Sequence, residues 1–254
     1  MAHSTPTWQT TYPYAVSDVA SDVEQNSELI ALVGIAAYVR LRLFCLVAEH
    51  VWNAPSIEDR LALMHRSVRI ASQQEALMTI ARRHGVEPDR LMAPFRGSLD
   101  GIKDRTSTSH WFEGLITGLV GHTVSRDLVL LLSRGLPSTE ASAVQAALAE
   151  FDDEDRAGAR LVASAIAADD VLASRLGLWG RRVVGESLKL AQDLLTSNPL
   201  FSSLALRAAV KSHIVADAAD VMFDSQARRD AAAWVLGTLT ADHTHRMDAL
   251  GLPA

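Results

Sequence analysis

Apolar residues in this chain recur every three to four positions, in long runs punctuated by proline, and not with the period of two that a strand requires. Leu29, Leu32, Val33, Ala36, Leu43, Phe44 and Val47 form the first such stripe. It predicts a helix from about Ser27, whose hydroxyl can cap it, to Asn53, before Pro55. A second helix is expected from Ser56, with Glu58 and Asp59 in its first turn, to Gly85, with Pro88 beyond. Residues 87–108 carry Pro94, Gly97 and Gly101 and read as a connection long enough to cross the end of a bundle. Further helices are expected over 109–134, 138–168, 170–196, 200–223 and 225–248, with stops at Gly135-Leu-Pro137 and Asn198-Pro199. Residues 1–26 are polar and turn-rich and read as a flexible arm; residues 27–254 read as one helical domain.

Four polar residues interrupt these stripes. Arg40 falls on the apolar face of the first helix, where a guanidinium must find acceptors or cost several kcal/mol. Gln73 and Gln74 sit between Ile70 and Leu77, so one amide turns inward. His122 lies in line with Leu115, Leu119, Val129 and Leu132, where it is either a hydrogen-bonded core residue or an acid/base group. The acidic run Phe151-Asp-Asp-Glu-Asp155 mostly faces solvent, but its stripe turns Glu154 or Asp155 inward, which supplies a carboxylate for Arg40. Arg40, Gln73, His122 and Glu154 are therefore the candidate site residues.

Composition narrows the classes. At 254 residues the chain can bury a sizeable core, and 48% hydrophobic with 21% charged residues is ordinary for a globular protein. The net charge of −6 argues against general nucleic-acid binding and against acidic membranes. A single cysteine, Cys45, excludes a disulfide framework and suggests a reducing cytoplasm. No basic-then-apolar leader opens the chain, and no uncharged apolar run of about 18 residues is present, so neither a signal peptide nor a membrane span is expected.

In a dimetal carboxylate bundle, two helices each supply a Glu-x-x-His pair, because positions i and i+3 point the same way. The residues three before the histidines include Val47, Ala62, Ala81, Ser107, Leu119, Val210 and Thr240. Only Asp242-x-x-His245 passes, in a polar run that reads as a solvated helix end. An aspartate-rich magnesium-diphosphate site would need a second acidic set, for which Asp217, Asp220 and Asp224 have poor spacing. Arg181-Arg182 read as a charged helix face, and no phosphate loop, dinucleotide glycine motif or nucleophile elbow is present.

Several segments taken together resemble bacterial ferritin-like proteins related to the tRNA 2-methylthio-N6-isopentenyladenosine hydroxylase. They are Gly34-Ile-Ala-Ala-Tyr38, Gly85-Val-Glu-Pro88, Met92-Ala-Pro-Phe95, Trp111-Phe-Glu-Gly-Leu115, Ala167-Ala-Asp169, Leu178-Trp-Gly-Arg-Arg-Val-Val-Gly-Glu186 and Arg246-Met-Asp-Ala-Leu-Gly-Leu252. The resemblance implies an all-α, ferritin-like four-helix bundle with additional C-terminal helices, whose catalytic members hydroxylate with a di-iron centre and oxygen. It also places the first-helix glutamate on Arg40, the second-helix Glu-x-x-His on Ile70 and Gln73, the third-helix acid near His122, and the fourth-helix pair near Phe151 and Glu154. Only His122 and Glu154 could still ligate a metal, and Arg40 would repel it. The expectation is thus a diverged member without a di-iron centre, acting as a ligand-binding or partner protein, with no cofactor; iron would enter only under a different correspondence. The alternative is an enzyme that reuses the cavity, without metal or with one ion, His122 as acid or base and Arg40 as anion clamp. A di-iron hydroxylase and a magnesium-diphosphate enzyme stand behind these. Expected partners are a small molecule in the bundle core and a homo- or hetero-dimer through a helical face, the alanine-rich faces being the first choice.

Overall fold

The computed structural model describes the backbone of residues 20–108, 110–149, 152–217 and 221–252, and their side chains except those of 20–25 and 152–157. The described residues contain no strand, so the all-α expectation holds.

Helix α1 (Ala20–Trp52) and helix α2 (Ile57–Arg83) form an antiparallel hairpin. The turn between them ends in a capping box: Asp59 N–H donates to the Ser56 hydroxyl at 3.1 Å, and Ser56 N–H donates to the Asp59 carboxylate at 3.2 Å. Helix α1 starts at Ala20, so Ser27 lies inside it and does not cap it. The 87–108 connection is not bare chain. It holds α3 (Pro88–Met92), a 3-10 turn (Ala93–Phe95) and α4 (Arg96–Arg105), folded against α1. Gly34 permits this contact, since a Cβ there would sit 2.6 Å from the Leu91 carbonyl oxygen and 2.8 Å from the Phe95 ring.

The third predicted helix is a rod of three parts: α5 (Trp111–Ile116), a π segment (Thr117–Gly121) and α6 (His122–Ser133). The fourth is broken into α7 (Ser138–Ala147) and α8 (Asp152–Ala167). At the break, Arg126 Nε donates to the Leu148 carbonyl at 3.0 Å and Gln73 Nε2 donates to the Ala149 carbonyl at 2.9 Å. Side chains from two neighbouring helices thus satisfy carbonyls that a continuous helix would have bonded to its own backbone. Helix α9 (Asp170–Ser197) meets α10 (Pro199–Lys211) at Asn198, whose side chain accepts from Leu200 N–H at 3.0 Å. The predicted helix over 200–223 stops early because His213 turns left-handed (φ 58°) and Ile214 N–H bonds back to the Ala209 carbonyl at 2.9 Å. A 3-10 turn (Val221–Phe223) and α11 (Ser225–Ala249) complete the described chain.

Helices α1, α2, the α5–α6 rod and α7–α8 form the bundle, and α9, α10 and α11 pack along the rod's other side. Leu29, Leu32, Leu77, Ile116, Leu132, Phe201, Leu204 and Leu239 are all almost wholly buried, joining both layers into one core. By length and mean hydropathy, with charges tolerated, Asn26–Trp52 and Trp111–Ser133 could each cross a membrane, but 61% of each apolar window is buried inside the molecule. Core helices pass the same test.

Candidate functional site

Two of the four predicted residues meet directly. Arg40, 6% exposed, donates from Nη1 to Gln73 Oε1 at 3.3 Å, and the same amide donates onward to the Ala149 carbonyl. Gln73 is thus an inward amide and bridges α1, α2 and the end of α7. Gln74 turns inward too, with its Oε1 buried and its Nε2 3.6 Å from Met92 Sδ, so the expectation of a single inward amide is corrected. Glu154 falls in α8, but its side chain lies outside the described residues, as does that of Asp155. His122 opens α6 on the adjoining face of the rod. Its enclosure by protein, followed by the charges of Arg40, Arg42 and Arg66, lowers its pKa from 6.5 to about 3. Both effects favour the neutral imidazole over the imidazolium.

His122 also lines a cavity of about 330 Å³ between α1, α4, the rod and α9. Arg40 and Gln73 do not line it. From α1 the walls take Arg42, Cys45, Glu49 and His50, from α4 Lys103, and from the rod Gly114, Thr117 and Ser125. Arg42 is anchored by Asp100, donating from Nη1 to Oδ1 at 2.5 Å, while the Tyr38 hydroxyl donates to the same oxygen at 2.8 Å. His50 Nδ1 lies 2.8 Å from the Leu46 carbonyl, which can only accept, so in the neutral ring Nε2 carries the lone pair. That Nε2 sits against Gly114: a Cβ on residue 114 would lie 1.7 Å from it. The glycine of the Trp-Phe-Glu-Gly segment is what admits this ring.

Next to the cavity, Glu113 is 6% exposed; it accepts from the Thr108 hydroxyl and from Arg175 Nε at 2.5 Å. Burial pushes its carboxyl up, but Thr108 and Arg175 outweigh burial and hold it below the usual range. The π segment forms the cavity's floor. Trp179 Nε1 donates to the Thr117 hydroxyl at 3.0 Å, and the Ser187 and Ser125 hydroxyls both donate to the Gly121 carbonyl, at 3.4 and 3.3 Å.

Sequence reasoning did not find Arg42, His50, Glu113 or Thr117. Arg42, Cys45 and Glu49 stand three and four residues apart on the flank beside the apolar stripe, which is the signal that could have marked the wall. Of the other motifs, Asp242-x-x-His245 ends in an exposed His245, while Arg246 donates to the buried Asp127 and ties α11 to α6. Asp224, proposed for a diphosphate site, caps α11 by accepting from Gln226 N–H at 2.7 Å; Asp220 lies outside the described residues. Among the described residues, no three His, Cys, Asp or Glu side chains gather as a metal would require. Three of the positions that the resemblance gives to a di-iron centre do not fit iron: Arg40 brings a fixed cation, Ile70 is a buried hydrocarbon, and Gln73 spends its amide on Arg40 and Ala149.

A family model described as a ferritin-like domain of actinomycetes matches residues 24–208. No curated protein matches the sequence.

Proposed function

Because this chain belongs to the actinomycete ferritin-like domain family, we propose that it is a member whose di-iron centre has been lost and whose bundle instead holds a small organic ligand, without catalysis. The finer kinship, to the tRNA-modifying hydroxylase relatives, belongs to the same proposal, as does a cytoplasmic location. The observation that carries it is the Arg40–Gln73 hydrogen bond. Two positions that the resemblance gives to metal ligands meet as donor and acceptor of each other. Positive charge then comes from the chain itself, where iron would have brought it. The cavity supplies the space for a ligand, with an anchored cation at Arg42 and hydroxyls at Thr117 and Ser125.

Elemental analysis of protein purified from iron-supplemented cells tests the metal half of this reading. The expected result is far less than one iron atom per chain; about two per chain would sink it. The enzymatic reading has one observation in its favour, the cavity itself. Against it, burial and the neighbouring arginines favour the neutral form of His122 over the imidazolium that a general acid needs.

A further inference from the structure

Among the described residues, one broad apolar face of the bundle has no neighbouring element. On α1 it consists of Leu41, Phe44 and Trp52, and on α2 of Ile57, Leu61, Met64 and Val68. Trp52 is 78% exposed, Ile57 68% and Val68 60%. These are not scattered residues. On each helix they follow helical spacing, along 41–52 and along 57–68, so the two stripes are equally long and lie side by side on the antiparallel hairpin. Their exposed area comes to roughly 800 Å², above the ~300–600 Å² of the largest patch on an ordinary monomer.

We propose that this outer face of the α1–α2 hairpin docks a second copy of the same chain. Area is the first argument: one partner of a standard specific interface contributes about 800 Å², which this face alone supplies. Symmetry is the second. Two antiparallel stripes of equal length are self-complementary under a two-fold rotation, which lays hairpin on hairpin and closes the assembly at two chains. A membrane fits less well, because the chain carries a net charge of −6 and the rim of the face is mixed, Glu49 and Glu58 standing beside Arg60, which lies 5.8 Å over the Trp52 ring, whereas an interfacial helix wants a cationic rim. Of the alanine-rich faces, that of α10 is already used, Ala205, Ala208 and Ala209 being buried inside the molecule, while Ala146 of α7 and Ala163 and Ala167 of α8 are exposed but offer far less apolar area than the α1–α2 face.

Light scattering on the full chain, with maleimide labelling of its sole cysteine, tests the proposal. Cys45 is exposed and lies on α1 beside Phe44, at the edge of this face. The expected results are a mass twice 27.5 kDa at micromolar concentration and several-fold slower Cys45 labelling than in the double variant L61E/V68E, which should be monomeric with an unchanged far-ultraviolet spectrum. Should that variant fold poorly, V68K alone serves, with the concentration dependence of the mass as readout. A monomeric wild type overturns the proposal, and so does a dimer that survives both variants. A dimer formed only after residues 1–19 are removed would assign the face to the chain's own N-terminal segment. Co-sedimentation of the wild type, but not of V68K, with zwitterionic vesicles would assign it to a membrane. Either result also overturns the proposal.

Discussion

A histidine ringed by arginines has a consequence that unfolding experiments can read. Unfolded, His122 takes up a proton near pH 6.5; folded, it does so only near pH 3, because burial and the charges of Arg40, Arg42 and Arg66 oppose it. Between those values the unfolded state holds the extra proton, so stability falls as the pH falls. One proton corresponds to a slope of at most about 1.4 kcal/mol per pH unit. Denaturant unfolding of wild type and His122→Gln from pH 6.5 down to pH 4 should show a shallower slope in the variant. Equal slopes would mean that His122 is not protected from protonation. The sequence placed Arg40, Gln73 and His122 on inner faces, because a polar residue in an apolar stripe is visible by periodicity alone. It could not show that Arg40 bonds Gln73, because that bond depends on how α1 and α2 are rotated against each other.

Elements in this fold are bounded as much by neighbours as by local signals. Pro88, Pro137, Pro199 and the cap at Ser56 were legible, because capping and proline chemistry act within one turn. The α7–α8 break and the π segment were not, since Arg126, Gln73, Trp179 and Ser187 reach them from other helices. Gly34 belongs to the same class: it looks like one small residue in an apolar stripe until α3 is laid across it. Gly34→Ala should destabilise the protein by about 1–3 kcal/mol, because its methyl would strike backbone at Leu91. Chemical denaturation checks this. A variant within a few tenths of a kcal/mol of wild type would show that the α1–α3 contact yields easily.

Across the whole molecule, the first and tenth helices are tied by an ion pair between a buried carboxylate and a half-buried arginine. Glu28 is fully buried and accepts from Arg207, which also donates from Nε to the Gly135 carbonyl at 3.0 Å. Glu28→Gln keeps the shape but removes the charge opposite Arg207. It should cost roughly 1–3 kcal/mol, below the usual order for a fully buried pair because Arg207 keeps some access to water. Thermal and denaturant unfolding measure that loss. An unchanged midpoint would mean that the packing of Phe201 and Leu204, rather than the pair, holds α10 in place. No sequence argument reached this contact, because its partners stand 179 residues apart and neither carries a local motif.

The amino-acid sequence by itself determined the helical class, the caps and proline stops, and which side chains break an apolar stripe. Each of those is decided by one helix turn or by the hydrophobic period along a single helix. The tertiary structure decided the rest. Arg40 meets Gln73 rather than lining a cavity, and the cavity opens instead on α1's flank at Arg42 and His50. The stripe at Leu41, Phe44 and Trp52 joins Ile57, Leu61, Met64 and Val68 in one face that no other described element covers. These outcomes depend on how helices are rotated and stacked against one another, and packing sets that rotation between residues far apart in the chain.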